Sequence, residues 1–110
     1  MNYSWRIIKL GLSDELNVDD VLLENAIVRV QWKRIAEDTD GTIASYLGNT
    51  YLDVTSDSAD DFIALNDVNK TICVGWIEED LGDAGIALVN SRLDTKIEKI
   101  RKNTISPSWG

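Results

Sequence analysis

Four aspartates, Asp53, Asp57, Asp60 and Asp61, lie close together and are interleaved with Thr55, Ser56 and Ser58. Carboxylates and hydroxyls at that density are the hard oxygen donors that hold calcium or magnesium. The same composition describes a solvated linker, so weak metal binding is the minor expectation there and a linker the major one. The run Asp38-Thr39-Asp40-Gly41 opens like a calcium loop, but Ile43, Ala44 and Leu47 stand where a full loop places further oxygen ligands, and a plain turn is preferred. Cys73 lies among Thr71, Ile72 and Val74, where a buried thiol in a reducing compartment is expected in place of a reactive one. The chain has no histidine, which removes His-based triads, imidazole bases and the commonest zinc sites. No catalytic residue, cofactor or metal is assigned, and the chain is expected not to be an enzyme.

The elements that would position these residues are read from periodicity. At 110 residues and 44% hydrophobic content the chain has the size of one domain. No apolar run is long enough for a membrane span and no signal peptide is evident, so a soluble protein is expected. Tyr3 to Leu12 alternates as a strand, with Trp5, Ile7 and Lys9 on one face and Ser4, Arg6, Ile8 and Leu10 on the other. Ser13 to Asp20 is acidic enough to read as a loop. Ala26 to Ala36 places Val28, Val30 and Trp32 on a burial face, with Arg29, Gln31 and Lys33 facing water. A turn at Gly41 leads into a third strand over 42–54, with Gly48 read as a bulge or bend. Residues 1–55 thus form a β-meander.

The helical half is read over 66–103. Asn66 is the expected N-cap of a first helix carrying Val68, Ile72 and Trp76, with Cys73, Ile77 and Leu81 beside them. Gly82 is placed at a left-handed C-cap and Asp83 at the next N-cap, so two helices joined by a minimal turn are expected. The second helix carries Ile86, Val89, Leu93, Ile97 and Ile100 in one stripe, spent mainly on the sheet, with homodimerisation through this helix as the competing use. Gly75 suggests that another backbone approaches closely. The fold class is α+β: an antiparallel sheet of three or four strands, with 62–65 as the candidate fourth, packed against two C-terminal helices. Residues 104–110 form a tail.

Charge is distributed unevenly. Arg92, Lys96, Lys99, Arg101 and Lys102 against Asp94 and Glu98 give the last helix a local sum of +3, which leaves −11 of the total −8 elsewhere. Such a body repels nucleic acid phosphates at long range and is expected to favour basic protein partners.

Ser4-Trp5, Val30-Gln31-Trp32, Asp40-Gly41, Ala44-Ser45-Tyr46, Val74-Gly75-Trp76-Ile77, Leu81-Gly82 and the closing Ser106-Pro107-Ser108-Trp109 span nearly the whole chain. Their combination resembles a family of small uncharacterised proteins encoded by tailed bacteriophages, including marine cyanophages. The resemblance implies a phage product made in the host bacterial cytoplasm, with the virion as a second location, and it transfers no functional residue. The expected function is a non-enzymatic protein-binding module, either a virion-associated accessory or an assembly factor. The alternative is an early protein that binds a host factor, as an acidic mimic of DNA. The candidate partner-binding residues are Arg29, Gln31 and Lys33 on the sheet and Pro107 and Trp109 in the tail, where an aromatic beyond a proline suits a partner's pocket and equally suits folding back over the domain's own core.

Overall fold

The computed structural model describes residues 1–55, 62–105 and 107–109. It shows an α+β protein whose antiparallel sheet has the order β1-β2-β3, followed by one C-terminal helix. The strands are β1 (Asn2–Leu16), β2 (Leu22–Glu37) and β3 (Ile43–Tyr51), and the helix is α1 (Lys70–Lys102). The molecule is a long slab, 68 × 28 × 17 Å.

Strand β1 runs through the acidic stretch expected to be a loop, and only Asn17 to Val21 turns. Asn17 builds that turn: its Oδ1 accepts from the backbone of Asp19 and of Val21, both at 2.9 Å. The acids Asp14, Asp19, Asp20 and Glu24 stay exposed on this hairpin end, so strand pairing costs them no desolvation. Strand β1 also contains a bulge between Ile7 and Lys9. Beyond it the faces exchange, and Leu10 packs with Tyr3, Trp5 and Ile7 against the core while Lys9 leaves their face. Period-two reading through Ile8 placed these two residues the other way round.

Gly48, expected as a bulge, pairs with Trp32 in an unbroken ladder. Its missing side chain serves a different end, because a Cβ there would lie 2.3 Å from Cζ2 of the Trp32 ring. The indole fills the space over Gly48 and its Nε1 donates to the Thr50 hydroxyl at 3.0 Å. Trp5 meets it edge-on at 5.3 Å and Tyr46 stacks at 6.0 Å.

The pair of helices expected over 66–103 is one helical element with a single non-helical residue, Gly82, at φ 66° and ψ 173°. The expected positive φ at Gly82 is present, and it kinks the helical element there. Asn69, not Asn66, is the N-cap, accepting from the Ile72 N–H at 3.0 Å. Asn66 lies in a short 3-10 turn, Leu65–Asp67, and residues 62–64 are irregular, so no fourth strand forms among the described residues. Val89, Leu93 and Ile97 of the apolar stripe are buried on the sheet with Val30, Trp32, Ala36 and Ala44. Burial of each of Val89, Leu93 and Ile97 contributes about 1.5 to 3 kcal/mol. Cys73 is buried in the same cluster, and burial pushes its thiol pKa up. Trp76 is only half-buried.

No backbone approaches Gly75, which is exposed with nothing within 4 Å of where a Cβ would sit. The glycine therefore costs helix propensity without returning a contact. Gly75→Ala is expected to raise stability by about 0.5 to 1 kcal/mol, read as a higher urea midpoint at unchanged slope.

Candidate binding surface on the outer face of the sheet

Strand alternation fixes two faces. Tyr3, Trp5, Ile7, Leu10, Val30, Trp32, Ala36, Ala44 and Tyr46 point inward to α1. Arg34 is inward as well: its guanidinium lies over the Trp5 ring at 4.2 Å and the Tyr3 ring at 5.4 Å, and its Nε donates to Asn90 Oδ1 at 3.1 Å. Partial burial lowers its pKa, a change that leaves a guanidinium charged. Tyr3 donates its hydroxyl to Asp94 at 2.6 Å, and that bond raises the tyrosine's pKa. The inner face is thus committed to scaffold.

The outer face takes the alternate residues. Cross-strand register sets them in rows: Ser4, Ile35 and Ser45; Arg6, Lys33 and Leu47; Lys9, Gln31 and Asn49; Gly11, Arg29 and Tyr51. Four cations, Arg6, Lys9, Arg29 and Lys33, share this face, and no carboxylate stands in any of these rows. Arg6 and Lys33 sit directly opposite each other, a like-charge pairing that costs stability unless an anion lies between them. None of the four forms an ion pair among the described residues. Arg29 is held over Gly11, where an added Cβ would meet its Cβ at 3.0 Å. Leu47 and Tyr51 are 55% and 70% exposed beside the cations. The helix and the 3-10 turn both pack on the inner side, so no described element covers the outer one.

Of the residues singled out in the sequence, Arg29, Gln31 and Lys33 come together on this face. Arg6 and Lys9 belong with them, and Lys9 was hidden by the bulge that moved it there. Pro107 and Trp109 lie apart from the sheet surface in the exposed tail, with Trp109 89% exposed. The turn aspartates are occupied locally. Asp38 accepts from the Thr39 N–H at 2.7 Å, Asp40 from the Thr42 N–H at 3.0 Å, and both pair with Arg101 of α1. Gly41 has φ 85°, as the turn requires. Asp53 accepts from the backbone and hydroxyl of Thr55, which lowers its pKa. Its expected companions Asp57, Asp60 and Asp61 lie outside the described residues, and no group of acids or thiols with metal-site geometry occurs among the described ones. Among the described residues, no helix is long and apolar enough to cross a membrane.

No curated protein and no solved structure matches this chain. A family model described as a domain of unknown function, DUF7936, matches residues 1–109, and the chain belongs to that family.

Proposed function

We propose that the protein is a non-enzymatic protein-binding module that docks an acidic partner on the outer face of its sheet. The observation that carries this reading is the set of four cations that form no ion pair, on a face that no element covers, among the described residues of a chain whose net charge is −8. Arg29 and Lys33, four residues apart along β2 with Gln31 between them, stand about 13 Å apart, the spacing of carboxylates four positions apart in an extended acidic segment. Ile35, Leu47 and Tyr51 supply apolar area around them, and Tyr51 is the aromatic anchor. Among the described residues, the groups singled out for chemistry are engaged in structure: Asp38 and Asp40 in a turn and an ion pair, Asp53 in its own loop, Cys73 in the core. A nucleic acid duplex fits the face less well, because the cationic rows are flanked by the acidic hairpin end at Asp14, Asp19 and Asp20 and by Glu37, Asp38 and Asp40. The sequence resemblance makes a phage virion or assembly component the natural partner, within a host bacterial cell.

The test is capture from infected cells by tagged full-length protein, compared with the double variant Arg29→Glu/Lys33→Glu. A partner held at this face is expected to bind more weakly as salt rises and to lose at least about tenfold in affinity to the double reversal, while circular dichroism stays unchanged and the melting temperature does not fall. Partners captured equally by both proteins would refute the reading.

A further inference from the structure

The second exposed apolar region lies at the other edge of the sheet, where α1 ends. Ile43, Ala44, Lys96, Lys99, Ile100 and Thr104 line an open groove of about 630 Å³ there. Its floor is the free edge strand β3, which has β2 on one side only. Ile43 and Ile100 are 55% and 42% exposed, so the groove presents apolar side chains without a cover. Its rim is fixed: Asn103 Nδ2 donates to Lys99 O at 3.0 Å, and the Thr104 hydroxyl donates to Ile100 O at 2.6 Å.

The tail departs from that rim. Ile105 and Trp109 are 83% and 89% exposed, so the tail's own chain does not bury them. Apolar Ile105, Pro107 and Trp109 alternate with Ser106 and Ser108, the pattern of a strand with one greasy side. A proline inside the segment disfavours a helical reversal back onto the chain it came from. Five residues beyond Thr104 span at most about 17 Å, enough to cross a two-fold axis placed at the rim. Charge permits the approach. Arg92, Lys96, Lys99, Arg101 and Lys102 at this end are matched by Glu37, Asp38, Asp40, Asp94 and Glu98, so two such ends meet without net repulsion, although the chain as a whole carries −8.

We infer that two copies of this chain form a symmetric dimer by exchanging tails, each placing Ile105 and Trp109 in the other's groove along β3. An isologous exchange of this kind closes on itself, uses the sheet only at its Ile43–Ser45 end, and leaves the cationic rows of Arg6, Lys9, Arg29 and Lys33 free for the partner proposed above. A dimer would offer two such faces in a fixed relation.

Sedimentation equilibrium of the full chain from about 1 to about 100 µM tests it. The wild type is expected to be a dimer in that range. Trp109→Ala and the groove variant Ile43→Asp, both at exposed positions, are each expected to weaken dimerisation more than about tenfold with unchanged melting of the monomer. Mixing the two variants is expected to restore a dimer, because one intact tail then meets one intact groove. Arg29→Glu/Lys33→Glu is expected to leave the dimer untouched, which separates this inference from the reading of the sheet face. A wild type that stays monomeric at the top of the range, or a dimer that survives Trp109→Ala, overturns the exchange.

Discussion

Trp32→Ala is expected to lower the stability of the fold by about 3 to 5 kcal/mol, the largest loss for any single truncation here. The indole is 2% exposed and touches both neighbouring strands, meeting Trp5 edge-on and stacking on Tyr46. Its removal leaves a cavity at the centre of the inner face and takes away the donor that satisfies the fully buried Thr50 hydroxyl. Gly48→Ala attacks the same contact from below. With a new Cβ 2.3 Å from the ring, the indole must leave its place or the ladder must open. In the Trp32→Ala background that clash disappears, so the two substitutions should be strongly non-additive, with a coupling of about 2 kcal/mol or more in a double-mutant cycle followed by urea unfolding. Additive losses would show that Gly48 is needed for its backbone and not for the space above it.

Gly82→Ala carries the second large expectation. At φ 66° and ψ 173° the residue occupies a region essentially reserved for glycine, and an alanine held there is strained by about 1 to 3 kcal/mol. Nothing lies within 4 Å of its would-be Cβ, so the penalty comes from the backbone alone. The expected outcome is a fall in Tm of roughly 4 °C or more. Gly75→Ala, on the same helix, should move Tm the opposite way. Equal small increases at both sites would mean that the helix straightens through residue 82 without cost, and that the kink is not needed to lay Val89, Leu93 and Ile97 on the sheet.

Period and burial pattern made the central strand readable, because Val30 and Trp32 alternate cleanly with Arg29, Gln31 and Lys33 and β2 is flanked on both sides. The stripe Val89, Leu93, Ile97 was readable for the same reason: its spacing has one solution. The edge strand β1 was harder. Its bulge at Ile8 shifts the phase of alternation, and no residue type announces a bulge where Ile, Ile and Lys follow one another. Ser13 to Leu16 looked like a loop because acids disfavour packed strands, whereas this ribbon buries Leu23 and Ala26 of β2 on one side and leaves Asp14 exposed. Gly48 shows the limit of reading a glycine locally, since its reason is the indole of a residue sixteen positions earlier. The helix start moved from Asn66 to Asn69 because both are good caps and only the packing of Leu65 and Val68 chooses between them. As for the binding surface, three of its residues were visible as a polar face. Its sign was not, because Arg6 and Lys9 come from another strand and join through register.

Each strand pairs with its neighbour in sequence, so both hairpins can close over short loops, and α1 forms from local hydrogen bonds. Long-range closure is left to the docking of the helix, whose contacts join Tyr3 to Asp94 across 91 positions and Asp40 to Arg101 across 61. During synthesis this order has a consequence. Trp5, Ile7, Trp32 and Tyr46 stand on strands that leave the ribosome before the helix that covers them. For that interval the nascent sheet shows water its inner side, and it is then, more than after completion, that the chain is exposed to misassembly or to capture by a chaperone.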